Sequence, residues 1–170
     1  MINEKTAAWT VAASLAILSC AACGKSEPNA SAGEAKPPVH EHHAPHGGSL
    51  VELGEGEFAH LELLLDNVTG TLTGYSLDGE AENPIRLKQA RIDLLLRGVK
   101  GPGEFTLPLV ASANSLTGET VGDTSEFSGR SDLLKGATAF TGRILTISTK
   151  GQKFDAVEFE FPARPEEDKK

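Results

Sequence analysis

Apolar residues in this chain recur at every second position over short runs, a period that suits a β-strand and not a helix. In "FAHLELLLD", Ala59, Leu61, Leu63 and Leu65 share one face, and Phe58, His60, Glu62 and Leu64 share the other. "RIDLLLR" sets Ile92, Leu94 and Leu96 against Arg91, Asp93 and Arg97. "FTLPLVA" aligns Phe105, Leu107, Leu109 and Ala111. Pro108, on the opposite phase, predicts an edge strand, because proline cannot donate to a ladder. "RILTIST" offers Leu145 and Ile147 as its buried pair, and "VEFEF" offers Val157, Phe159 and Phe161 with Glu158 and Glu160 outward. Turn-forming stretches separate these runs: "DNVTG", "LDGEAENP", "KGPG" and "TKGQ". Only "SDLLKGA" reads as a helical turn, with Ser131 as its cap. Seven to eight short strands so spaced predict an all-β fold. The expected architecture is an antiparallel β-sandwich, either immunoglobulin-like or a small barrel.

The chain ahead of these strands has a different character. Residues 6–19 form an apolar, small-residue run that ends at two cysteines, "ILSCAAC". A helix needs about 20 apolar residues to cross a bilayer, so a run this short reads as a secretory signal. "ILSC" resembles the lipobox of bacterial lipoproteins, which makes Cys20 the expected lipidation site and Cys23 its alternative. An ordinary cleavage near Ala22 is the plainer reading. Residues 20–39, rich in Ser, Ala, Pro and Gly, have little to bury and read as a flexible tether. A His-rich segment follows at 40–48, the β domain at 49–162, and a charged tail at 163–170. The expected place of the protein is the bacterial cell envelope, exported, lipid-anchored and facing the periplasm.

Both cysteines lie at the anchor and the single methionine is Met1, so the β domain contains no sulfur. Neither a disulfide nor a thiolate site can be built there. The net charge of −8 argues against nucleic acid as a partner and mildly favours cations.

Four of the five histidines fall in "HEHHAPHGG": His40, His42, His43 and His46. Neutral imidazole binds Zn, Cu(II), Ni or Co, whereas Cu(I) prefers the sulfur that this domain lacks. His40 and His42 point to one side of an extended backbone, and His43 and His46 have the spacing of ligands on a turn. Pro45 blocks a regular helix, and Gly47 and Gly48 allow a tight fold, so the four rings could converge on one ion with Glu41 adding a carboxylate. His60 and Glu62, on one strand face, are further candidates. His60 alone reads as an exposed strand residue, and it becomes a ligand only if the head folds back. The opposing reading makes the histidines a polar spacer.

No Gly-x-Ser-x-Gly, His-Glu-x-x-His or phosphate loop occurs, and "GEGE" and "GPGE" are turn material. The chain is therefore expected not to be an enzyme, since an acid–base pair would have to be built around His60 and Glu62.

"HEHHAPHGGSLVELGEGEFAHLELLLD" followed by "LTGYSLDGEAENPIRL" resembles the His-rich "PHGG" head and β-segment of small bacterial envelope lipoproteins of unassigned function. It is also similar to the N-terminal segment of periplasmic adaptor proteins of heavy-metal efflux systems. The resemblance spans about residues 39–96, and the later "SDLLKGATAFTGRILTISTKGQKFDAVEFEF" resembles only the small lipoproteins. No heptads and no lipoyl-like module are present, so the chain departs from the adaptors themselves. The resemblance implies a metal role for His40, His42, His43 and His46, a membrane partner through the lipid anchor, and a metal-efflux or other envelope protein nearby. The two functions in view are a metal-binding or metal-buffering lipoprotein and a non-enzymatic interaction module whose His-rich segment is only a tether.

Overall fold

The computed structural model describes residues 42–164. Cys20, Cys23, His40 and Glu41 lie outside the described residues, as do the expected signal and tether and the end of the charged tail. Eight antiparallel strands form one sheet: β1 (Ser49–Leu53), β2 (Ala59–Asp66), β3 (Thr71–Leu77), β4 (Arg91–Arg97), β5 (Glu104–Ala111), β6 (Glu126–Arg130), β7 (Phe140–Thr149) and β8 (Gln152–Phe161). Their order across the sheet is β1-β2-β3-β6-β5-β4-β7-β8. The sheet curls until its two edges run side by side, so the fold is the small-barrel form of the expected architecture. At one end of that seam the Ala163 N–H donates to Ser49 Oγ at 3.1 Å.

The alternation seen in the sequence fills the interior. Leu61, Leu63, Leu72, Ile92, Leu94, Leu96, Leu109 and Phe127 are fully buried. The one helical turn among the described residues, Asp132–Leu134, is capped by Ser131, whose side chain accepts from the Leu133 N–H. Gly129 lies too close to the Pro108 carbonyl for any side chain, since a Cβ would stand 2.4 Å from that oxygen.

Two strand assignments need correction. β5 lies inside the sheet between β6 and β4, not at an edge. Pro108 is accommodated because β5 and β6 pair only through Val110↔Ser128 and Ala111↔Phe127, beyond the proline. On β7, the buried pair is Ile144 and Ile147, while Leu145 is 39% exposed. Ala156, at the position facing Leu145 in the β7–β8 register, has a left-handed backbone (φ 58°). That kink interrupts the pleat, and the inward phase of β7 shifts by one residue there.

Candidate functional site

β2 is buried on both faces. Ala59, Leu61 and Leu63 point into the core, and His60 (4% exposed) and Glu62 (0%) point the other way. The cover over His60 and Glu62 comes from the His-rich head. His60 is therefore not the exposed strand residue expected from alternation, because the head has folded back over its strand.

The C-terminal half of the head is fixed by Glu62. Its Oε1 accepts the His46 N–H at 2.9 Å and the Gly48 N–H at 2.8 Å. Its Oε2 lies 2.7 Å from His46 Nδ1. A buried carboxylate is tolerable only when it is hydrogen-bonded, and here three donors do so. The His46 ring also stacks on Tyr75 from β3, with centroids 3.8 Å apart and planes 11° off parallel. Gly47 adopts φ 75°. Gly48 sits so close to β2 that a Cβ would stand 2.5 Å from the Leu63 carbonyl oxygen. "PHGG" thus encodes a latch onto β2: Gly47 supplies the left-handed turn and Gly48 the close approach.

The N-terminal half carries the other pairing. The His42 and His60 rings lie 5.1 Å apart, tilted by 46°. His42 Nδ1 is 3.2 Å from the Glu80 carbonyl oxygen, and His60 Nδ1 is 3.1 Å from that of Asp78. Both carbonyls belong to one loop, which its own aspartate braces. Asp78 Oδ1 accepts the Glu82 and Asn83 N–H groups, and Oδ2 accepts the Asn83 side-chain amide. These bonds, that to the Asn83 side chain foremost, hold the Asp78 carboxyl below the usual aspartate value. The loop also presses on the β1–β2 turn, where a Cβ at Gly79 would stand 2.1 Å from the Glu57 carbonyl oxygen.

From that turn, Glu57 Oε1 reaches within 3.0 Å of His42 Nε2. The nitrogen is shielded from solvent, and the carboxylate is its partner. The adjacent Glu57 carboxylate raises the His42 pKa above the ordinary imidazole value against the opposing effect of burial. Such a group can share a proton between imidazole and carboxylate, or hold a cation in the proton's place.

The described candidates therefore divide into pairs: His42 with His60, and His46 with Glu62. His43 is exposed and joins neither. Among the described residues, no three His, Cys, Asp or Glu side chains stand ready as a ligand set. Glu57 and Tyr75 were missed in the sequence; Glu57 was read only as part of a turn. A further buried acid, Glu119, accepts from the Ser125 N–H and Oγ and from Thr117 Oγ1, at 2.6–2.8 Å. It lines a cleft of about 370 Å³ together with His46 and Tyr75. Arg86, in the same cleft, is occupied by Asp123 and the Thr117 carbonyl. Comparison with family models, curated proteins and solved structures finds no match for this chain.

Proposed function

We propose that this chain is an exported, lipid-anchored protein of the bacterial envelope that binds or buffers a divalent transition metal through its His-rich head. The anchor reading rests on "ILSC" and Cys20, and the exported setting suits a domain that uses nitrogen and oxygen ligands without sulfur. The observation that carries the metal reading is the docking of the head: it brings His42 to 5.1 Å from His60, a histidine of the β domain. A mere spacer has no reason to bring one imidazole against another. The role is storage or hand-over of the ion near the membrane, accessory to efflux or homeostasis, and it requires no catalytic step.

Titration of Zn(II), Cu(II) and Ni(II) tests this reading on the parent protein and on a variant with His40, His42, His43 and His46 all changed to alanine. The expected result is saturable binding to the parent, weakened by about 100-fold or more in the variant. Equal, weak binding by both overturns it.

A further inference from the structure

We propose that the ion is held between head and barrel by Nε2 of His42, Nε2 of His60 and the carboxylate of Glu57, with water completing a four-coordinate site. This assignment rests on the metal-binding reading and names the ligands, two of which belong to the β domain and not to the His-rich head.

Three features of the geometry agree. First, both rings direct Nδ1 at backbone carbonyls of one braced loop. Carbonyls placed in this way fix the tautomer and orientation of ligating imidazoles and leave Nε2 for the metal. Second, the spacing fits. Imidazoles that share a tetrahedral ion at about 2.0–2.1 Å from each nitrogen place their ring centres about 5 Å apart; here they are 5.1 Å apart. Nitrogen and oxygen ligands of the same ion lie about 3.3 Å from each other; His42 Nε2 and Glu57 Oε1 are 3.0 Å apart. Third, His42 Nε2 is shielded from water and has the Glu57 carboxylate as its partner, a nitrogen–carboxylate pair that an ion can bridge in the proton's place.

The other candidates are committed elsewhere. His46 Nδ1 and its backbone N–H are both on Glu62, and its ring is flat against Tyr75. Glu62 has its two oxygens engaged by three donors and is closed to solvent. The three side chains do not stand as a ready ligand set, so binding requires them to close on the ion; that of Glu57 is 40% exposed on a turn. Two imidazoles and one carboxylate suit Zn(II) or Co(II), and the ion would fasten the head to the barrel.

The test uses the full 170-residue chain in detergent, with Cys20→Ser and Cys23→Ser in every sample so that thiolates do not bind the probe. Zn(II) affinity is measured by calorimetry, and Co(II) reports geometry through its visible absorption, which is intense only when four-coordinate. His60→Asn keeps a donor for the Asp78 carbonyl and removes Nε2; His42→Asn does the same toward Glu80, and Glu57→Gln removes the carboxylate charge. Far-UV circular dichroism confirms that each variant is folded, and the His42 and Glu57 variants, at less deeply buried positions, decide the matter if His60→Asn fails to fold. The expected result is four-coordinate Co(II) in the parent and a loss of Zn(II) affinity of about 100-fold in the His42 and His60 variants and about tenfold in Glu57→Gln. His43→Ala should stay within about threefold of the parent. Binding that survives all three ligand variants but disappears in the fourfold head variant overturns this assignment and leaves the general metal reading standing. No binding to the parent overturns both.

Discussion

The two halves of the head each set a histidine against a glutamate, yet they are built for different ends. At His46, Glu62 is fully buried, both of its oxygens are in use, and two of its three donors are backbone amides. At His42, Glu57 is partly exposed on a turn and pairs with the ring through a single 3.0 Å contact to Nε2. A saturated, buried carboxylate leaves nothing for a ligand and much to lose on removal. A half-exposed carboxylate paired with a ring nitrogen near the surface contributes little to folding and can exchange the proton between them for an ion. Solvation and hydrogen-bond saturation, rather than residue type, separate the latch from the binding end.

Variants can break that contrast, and the largest expected effect is at Glu62. Glu62→Ala leaves three donors without their acceptor and should lower unfolding free energy by about 2–4 kcal/mol in urea denaturation. A loss below about 1 kcal/mol would mean that the latch is dispensable. Gly48→Ala should follow, at about 1–3 kcal/mol, because its Cβ must push the head away from the Leu63 carbonyl. Native-state hydrogen exchange should then show faster exchange at the His46 and Gly48 amides.

Glu119 sharpens the contrast from outside the head, since it is another buried glutamate with its oxygens in use. Its hydrogen bonds from the Ser125 and Thr117 side chains hold its pKa below the ordinary glutamate value of 4.5. The folded protein therefore favours the ionised form. That contribution is complete above the unfolded value and is lost as the pH falls through the lower, folded value. Glu119→Gln should accordingly be less stable than the parent at neutral pH, with the gap narrowing below about pH 4.5 in a pH series of urea melts. A gap that widens on acidification would refute this sign.

The smallest expected effect on stability is at the binding end. Glu57→Gln should change unfolding free energy by no more than about 0.5–1 kcal/mol, the range of partly exposed ion pairs. The same substitution should reduce the rise in melting temperature that Zn(II) gives the parent through preferential binding to the folded state. A large metal-free destabilisation would make Glu57 a second latch.

Much of the barrel was legible because its strands have one apolar face, and period-two alternation reports that face directly. It failed where the pleat itself changed. The left-handed backbone at Ala156 moves burial from Leu145 to Ile144, and alanine gives no warning of a positive φ. Pro108 misled because a proline excludes only a hydrogen bond on its own N–H, and the short β5–β6 pairing avoids that bond. At the site, the histidines were visible as a cluster, but spacing along a segment says nothing about which domain residues it will cover. Glu57 and the Asp78–Glu80 carbonyls are brought to His42 and His60 by a turn and a loop far apart in sequence. The glycines of "PHGG" suggest freedom for ligands to converge; the positive φ of Gly47 and the closeness of Gly48 to β2 fit docking instead.

The division of the head is tested most directly by the nitrogens themselves. Long-range ¹H–¹⁵N spectra of the histidine side chains, recorded on the full chain carrying both cysteine-to-serine changes during Zn(II) addition, report which ring atoms meet the ion. That division predicts that Nε2 of His42 and of His60 move together to metal-bound shifts while both ring nitrogens of His46 stay in place. Movement of His43 and His46 with His60 unchanged would contradict it.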